Sequence, residues 1–287
     1  MIGDSHTLPY RNLLFREDWT GRLVMARSRY VSGLTAFELF KPASGEFHPE
    51  LIRFLEYEGL VRNRRAAHLS VEEIDFSIAR ANGQPVTPPL LLFAVGDIDI
   101  RGTLMPMFKD THDFVPPYET PYVLSDRPLV PWDILEAKMA AHIDPMVAGL
   151  RRLIECGFNR LYVQAVVPPT QDEARIRQLH GYDCPVTVRT KLVAAFNRML
   201  ANACAPLGVT LVENWTALTN DGLLRSDLEV DGVHVPPRAA RWFLDALLEH
   251  AVNCQWFAVN HVRYALFYRI ACGLEPFDAA GVASVLA

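Results

Sequence analysis

The stretch PLLLFAV at residues 89–95, followed directly by GDIDIR at residues 96–101, decides the fold. A continuous apolar run of this length that ends at a glycine predicts a strand covered on both faces. Such strands are typical of parallel sheets, because helices pack on both sides of them. We therefore expect residues 89–95 to form a central strand, with the polar residues 96–101 at the edge of the sheet.

Predicted helices and strands alternate in the sequence after this strand. Apolar residues at three- and four-residue steps predict helices over residues 137–156 and 187–205. Apolar runs rich in β-formers predict strands at 160–167 and 209–212, and a last amphipathic helix is predicted to begin after Pro236-Pro237. This alternation predicts a three-layer, flavodoxin-like α/β domain with a parallel sheet between two helical layers.

The predicted domain spans residues 1–250, and residues 251–287 are expected to form a helical extension packed on it. A connection of about thirty residues, 102–131, separates the central strand from the next helix, where a few residues are usual. It is rich in proline and aromatic residues. Such a segment is either a lid or a packed decoration, and its position beside the expected site favours the lid.

Composition excludes several classes of protein. The 287 residues are 50% hydrophobic and carry 28 Lys+Arg against 33 Asp+Glu, which excludes disorder and argues against a general nucleic-acid binder. The five cysteines contain no CxxC pair, which argues against a disulfide framework.

No signal peptide is visible at the N-terminus, and charged residues interrupt the apolar stretch 255–272. These features predict a cytoplasmic protein that does not contact membranes, and oligomerisation stays open.

Two short blocks can supply a nucleophile and its activator. The first is GDSH at residues 3–6, and the second is DGVH at residues 231–234. A serine hydroxyl needs a neutral imidazole within hydrogen-bond reach, and a carboxylate that fixes the tautomer of that imidazole. Ligands of parallel α/β sheets bind outside the carboxyl ends of the strands, so segments 3–6, 96–101 and 231–234 are expected to meet there.

The two blocks resemble those of the SGNH/GDSL hydrolase family, in which a GDS block follows the first strand and a DxxH block lies near the C-terminus. The resemblance implies that Ser5 is the nucleophile, His234 the general base and Asp231 the orienting acid. It also implies that Gly33, which follows the β-rich stretch 23–31, donates its backbone amide to the oxyanion, together with the amide of Ser5.

The third block departs from the family pattern. Where the family has GxND, Ile98 stands in place of the asparagine that donates to the oxyanion. The segment GDIDIR resembles the GEIDCR-type motif of another SGNH-like branch. If the extended backbone continued past Gly96, Asp97, Asp99 and Arg101 would point to the same side, so we expect all three to shape the oxyanion or substrate site.

The predicted function is hydrolysis of a small acyl ester, for example an O-acetyl group on a glycan, through a Ser5 acyl-enzyme without a cofactor. One alternative is an acyltransferase that uses the same acyl-enzyme. Another is a non-catalytic binding module that kept the fold, which the substitution at Ile98 favours.

A metal site is not predicted from the sequence. Asp4 and His6, together with Gly96-Asp97, resemble fragments of the calcineurin-like metallophosphoesterases. However, the GNH block of those proteins does not occur in this chain, and the remaining histidines show no ligand spacing.

Overall fold

The computed structural model describes residues 1–4, 6–7, 13–16, 23–26, 28–58, 60–61, 90–109, 112–118, 126–213, 215–232, 234–236, 239, 242–243 and 247. Its strands are β1 (Ile2–Gly3), β2 (Leu13–Arg16), β3 (Leu23–Ala26), β4 (Arg29–Tyr30), β5 (Phe40–Lys41), β6 (Glu46–Phe47), β7 (Leu91–Ala94), β8 (Leu161–Gln164), β9 (Thr210–Val212), β10 (Thr219–Asn220) and β11 (Leu223–Leu224). Its helices are α1 (Pro49–Tyr57), α2 (Asp97–Asp99), α3 (Trp132–Glu155), α4 (Glu173–His180), α5 (Val186–Cys204) and α6 (Trp215–Leu218).

A five-stranded parallel sheet forms the centre of the fold. Its strands lie in the order β4-β1-β7-β8-β9, and every neighbouring pair is parallel. When these five strands are counted along the chain, the order is that of the flavodoxin-like fold. The hairpins β2-β3, β5-β6 and β10-β11 lie outside this sheet.

The two faces of the sheet pack against different layers. In β7, Leu91 and Phe93 join a core with α1, α3 and α5, whereas Leu92 joins a second core on the other face. That second core contains Leu218 of α6 and residues of the C-terminal segment, among them Phe243. Side chains alternate in this way because successive residues of a strand point to opposite faces. The sheet is therefore the middle of three layers, as the sequence predicts.

The predicted elements on the C-terminal side of the central strand are confirmed. The strands expected at 89–95, 160–167 and 209–212 are β7, β8 and β9, and the two long helices are α3 and α5. Helix α3 begins at Trp132, directly after the connection 102–131 as expected, and Pro131 precedes it with extended backbone geometry. In the C-terminal segment, the described residues Ala239, Phe243 and Leu247 are helical and buried.

The connection at 102–131 differs from the predicted lid in its described part. Phe108 and Phe114 are fully buried in the main core. Asp113 is also fully buried, where it forms an ion pair with Lys191 of α5. Burying two aromatic side chains and a paired charge fixes this segment to the body of the protein. The described part is therefore a packed decoration.

Some predictions fall on residues outside the described part of the chain. The extension 251–287 lies entirely there, so the division at residue 250 stays a prediction. Among the described residues, no helix combines the length and the apolar character that crossing a membrane requires. Cys156, Cys184 and Cys204 are buried cysteines in the thiol form.

Candidate active site

The candidate site lies where β1 and β7 end. The strand order changes direction between these two strands, and in flavodoxin-like sheets this switch point holds the ligand. Asp4 follows β1, and its backbone N–H donates to the carbonyl of Ala94 in β7 at 3.1 Å. Asp97 follows β7 after a short turn. Two buried strands therefore bring two carboxylates to one edge of the sheet.

Two glycines allow this close approach. A Cβ atom at Gly3 would lie 1.9 Å from the carbonyl oxygen of Ala94, so a side chain there would separate β1 from β7. Gly96 has φ +113°, which side chains rarely adopt, and a Cβ atom there would lie 2.8 Å from the ring of Phe196. Gly96 thus turns the chain sharply from the strand into α2.

The prediction that the backbone stays extended after Gly96 is wrong. Residues 97–99 form one helical turn that continues as a π-helical turn (Ile100–Leu104) and a 3₁₀ turn (Met105–Phe108). Asp97 and Arg101 share one face because they are four residues apart on a helical backbone. Asp99 points in a different direction. An extended strand would have pointed all three side chains to one side. On the helical backbone they do not converge.

The Asp97 face of this turn holds a cluster of charged side chains. Arg101 donates from its Nε atom to Asp97 Oδ2 at 2.5 Å, and His6 Nε2 lies 3.2 Å from the same oxygen. The backbone N–H of His6 donates to Asp4 Oδ1 at 2.9 Å. Asp4 and His6 are buried, at 0% and 6% exposure. We call Asp4, His6, Asp97 and Arg101 the charged cluster.

The charges of this cluster shift one another's pKa values. Burial raises the pKa of Asp4 to about 6, against the opposing effect of His6. Burial disfavours the imidazolium of His6, but the carboxylates of Asp4 and Asp97 outweigh it and raise the pKa of His6 to about 9. Burial alone would raise the pKa of Asp97, but His6 and Arg101 hold it well below its usual range.

Asp99 faces the interior of the fold. Its carboxylate accepts hydrogen bonds from the backbone N–H groups of Ala36 at 2.7 Å and Phe37 at 3.4 Å. It also contacts His142 Nδ1 of α3 at 2.8 Å, and the Asp99 side chain is fully buried. Asp99 thus fastens the segment after β4 to α2 and α3. The predicted role of Asp99 in the substrate site is not supported, because its oxygens are engaged in these contacts.

The C-terminal block reaches the same edge. Asp231 Oδ2 lies 2.6 Å from His234 Nδ1, and Asp231 Oδ1 accepts from the His234 backbone N–H at 2.8 Å. The ring of His234 lies against the ring of His6, with centroids 5.4 Å apart. The sequence prediction that segments 3–6 and 231–234 meet is therefore confirmed for His6 and His234. Ser5 lies outside the described residues, so its distance from His234 stays a prediction.

Gly33 lies in a turn after β4, beside β1. The backbone N–H of Val31 donates to the carbonyl of Gly3 at 2.9 Å, so β4 and β1 end at the same edge. Gly33 has φ +73°, and among the described residues no atom apart from its chain neighbours lies within 4 Å of the position that a Cβ would take. Its backbone is exposed at this edge, and its role as an oxyanion donor stays a prediction.

A small pocket opens beside the charged cluster. Its empty volume is about 190 Å³. It is lined by Asp4, His6, Ala94, Val95, Asp97, Gln164, Ala165, Val166 and Val167.

Two residues of this pocket were missed by sequence reasoning as members of the site. Gln164 is the last residue of β8. A polar residue at the carboxyl end of a buried parallel strand indicates a place in the ligand site, so this position could have been predicted. His6 belongs to the segment 3–6 that is expected at this edge, but the sequence assigns it no role in the ester-hydrolase site. Asn197 of α5 also acts here, since its amide holds the backbone of Val166 through two hydrogen bonds of 2.8 Å.

Comparisons with known proteins add the following. No protein-family model matches the sequence, and no curated protein matches it. One similar solved structure is a protein from Streptococcus pneumonia provisionally assigned as a platelet activating factor, with 14% identity and a TM-score of 0.46, covering 87% of this chain and 80% of that one. Another is a GDSL-like lipase from Bacteroides thetaiotaomicron, with 14% identity and a TM-score of 0.37, covering 78% and 74% of the two chains.

Proposed function

We propose that this chain is a serine ester hydrolase of the SGNH/GDSL type, with Ser5 as nucleophile, His234 as general base and Asp231 as orienting acid. One observation carries the proposal. The ring of His234, already paired with Asp231, lies against the ring of His6, which is the residue next to Ser5 in the chain. A histidine–carboxylate pair from the C-terminal part of the sequence therefore contacts the residue next to Ser5, and this contact supports the proposal.

The chemistry follows from the two nitrogens of His234. Asp231 engages Nδ1, so Nε2 is the nitrogen that would exchange a proton with Ser5. Ser5 Oγ attacks the acyl carbonyl while Nε2 accepts its proton, and His234 then returns this proton to the leaving alcohol. Water, activated by the same imidazole, attacks the acyl-enzyme, and the acid leaves as Ser5 regains its proton.

Stabilisation of the oxyanion falls to backbone amides in this proposal. The amides of Ser5 and Gly33 are the donors that the resemblance implies, and Ile98 offers no side-chain donor at the third block. Losing one such donor costs about 10²–10³ in rate. We therefore expect a slow esterase.

The pocket supports a short acyl group. The space of about 190 Å³ includes open solvent, and its enclosed part is about 10 Å³, room for roughly one water molecule, so only a methyl-sized acyl tail would enter it. Several of its lining residues, including Ala94, Ala165 and Val166, are small and apolar. The methyl of an acetyl group would contact these apolar side chains, and the alcohol part of the ester would lie outside the pocket. An O-acetylated sugar is a substrate of this kind.

A fluorophosphonate probe tests the proposal. The full-length protein is treated with the probe and digested, and the modified peptide is identified by mass spectrometry. We expect labelling at Ser5, no labelling in Ser5→Ala, and much slower labelling in His234→Ala. Ser44→Ala is the matched control, because Ser44 is an exposed serine of the β5-β6 connection that bonds Glu46 and should not affect labelling. A protein that folds but shows no labelled serine would instead be a binding module.

A further inference from the structure

Three side chains of the charged cluster have the geometry of a metal site. Asp4, His6 and Asp97 each offer one potential ligand atom, and these three atoms lie within 4.8 Å of one another. They come from two different segments, the turn after β1 and the start of α2. Their separation is thus fixed by the pairing of β1 with β7, a rigid part of the fold.

A second observation points to a ligand at this place. The side chain of Asp4 is fully buried and lines the pocket, yet its Oδ2 atom has no hydrogen-bond partner among the described residues. A buried carboxylate oxygen without a partner is costly, and such atoms are normally satisfied by protein, water or an ion. The other carboxylate oxygen, Oδ1, is already held by the backbone of His6. Asp4 is therefore oriented so that one oxygen is left for a ligand.

The donor set selects the kind of ion. Two carboxylate oxygens and one imidazole nitrogen suit the borderline divalent ions of the first transition row, whereas Ca²⁺ requires six to eight oxygen ligands. Three protein ligands also leave a coordination position for water or substrate. We propose that Asp4, His6 and Asp97 bind one divalent transition-metal ion, for which Zn²⁺ is the probe.

Arg101 limits and orients the site. Its guanidinium lies on Asp97 Oδ2, where it would hold this ligand as an outer-shell partner and neutralise part of its charge. With Arg101 present, the two carboxylates retain one net negative charge; a proton on His6 would neutralise this charge, whereas a divalent ion beside a neutral His6 would leave one positive charge. The proton and the ion are alternatives, because His6 Nε2 lies only 3.2 Å from Asp97 Oδ2.

This site does not depend on the proposed ester hydrolysis. None of its three ligands is Ser5, His234 or Asp231. A metal-free serine esterase would contradict this site and leave the proposed function standing, and a metal-binding protein without a reactive serine would do the reverse. The measurement below reads metal binding directly and not activity.

Calorimetric titration tests the site. Tag-free, full-length protein is stripped with a chelator, dialysed and titrated with Zn²⁺, and in parallel with Ca²⁺. We expect one equivalent of Zn²⁺ per chain and no binding of Ca²⁺. Loss of even an outer-shell partner costs about 10–100-fold in metal affinity, so His6→Gln and Asp97→Asn should each weaken Zn²⁺ binding by at least about 100-fold.

Matched variants distinguish the metal site from the proposed esterase residues Ser5 and Asp231. Asp231→Asn and Ser5→Ala should retain Zn²⁺ binding, and so should His48→Gln, which removes the imidazole that caps α1. X-ray absorption of the Zn²⁺-loaded parent should report one imidazole with oxygen ligands, and it remains informative if a variant does not fold. Absence of Zn²⁺ binding by the parent, two imidazoles in the coordination shell, or loss of binding in Asp231→Asn would each overturn the proposal.

Discussion

Asp97 and Asp99 are two residues apart, each contacts a histidine, and they do different work. The Asp97 side chain is 13% exposed and contacts other side chains at the pocket, His6 and Arg101. The Asp99 side chain is fully buried and holds backbone N–H groups of Ala36 and Phe37, as well as His142. A carboxylate that binds backbone fixes the fold, whereas one that binds pocket side chains sets the electrostatics of the site. Substitutions on the pocket side should therefore lower activity, and substitutions on the interior side should lower the free energy of unfolding.

The largest effect is expected at His234, on the pocket side. His234→Ala should lower kcat for a short-chain aryl ester by about 10³-fold or more, because the general base is lost. Its free energy of unfolding should hardly change, since the side chain is 33% exposed. Activity assays with chemical denaturation measure both quantities. The double variant with Ser5→Ala should be no worse than either single variant, as members of one catalytic unit are not additive. Full activity in His234→Ala would place the chemistry elsewhere.

Asp99 should give the opposite result. Asp99→Ala should lower the free energy of unfolding by about 3–5 kcal/mol, because it leaves buried N–H groups and His142 without their partner. The folded fraction should retain its esterase activity. Denaturant titration, with activity corrected for the folded fraction, measures this separation. A variant that stays as stable as the parent but loses turnover would make Asp99 part of the active site.

Gly96 connects the two sides, because it turns the chain from β7 into α2. Gly96→Ala should cost about 2–3 kcal/mol of stability, since it combines an unfavourable positive φ with a Cβ placed against Phe196. Gly102→Ala is the matched control. It has open space and no positive φ, and it should be neutral or slightly stabilising in a thermal melt. Equal melting temperatures for the two variants would show that the turn at Gly96 tolerates a side chain.

Arg101 should give the smallest effect. Arg101→Ala should lower kcat/KM by about tenfold and the free energy of unfolding by about 1–2 kcal/mol, because the mostly buried Asp97 loses one of its two charged partners and keeps His6. Arg101→Lys should recover part of kcat/KM but not the contact of the guanidinium with Asp97. If stability fell and kcat/KM did not, Arg101 would be a structural partner only.

The fold could be predicted from the sequence to a large extent. The apolar run at 89–95 and the helical periods of α3 and α5 are strong local signals, and their alternation predicts the parallel sheet. The same reasoning failed at Gly96, because an alternating pattern of Asp97, Asp99 and Arg101 also fits one and a half helical turns. Only tertiary contacts with Ala36 and His142 reveal which way Asp99 points. The sequence could not decide between a lid and a packed segment at 102–131 for a similar reason, since the burial of Asp113 depends on Lys191 far along the chain.

The site was predicted in part. Short motifs predicted that residues 3–6 and 231–234 share an edge, and the contact of His6 with His234 agrees with this. The convergence of Asp4, His6 and Asp97 on one point could not be predicted, because it depends on the register of β1 against β7 and on the helical start of α2. A polar residue that directly follows a buried strand, as Asp4 does, is the signal to use.

A crystal structure of the protein after reaction with a fluorophosphonate would show whether Ser5 is the nucleophile and His234 its base. We expect a phosphorus atom bonded to Ser5 Oγ, and His234 Nε2 within hydrogen-bond reach of the modified oxygen, at about 3 Å. We also expect that Asp231 remains on His234 Nδ1. An adduct on another residue, or a modified Ser5 that points away from His234, would contradict these roles.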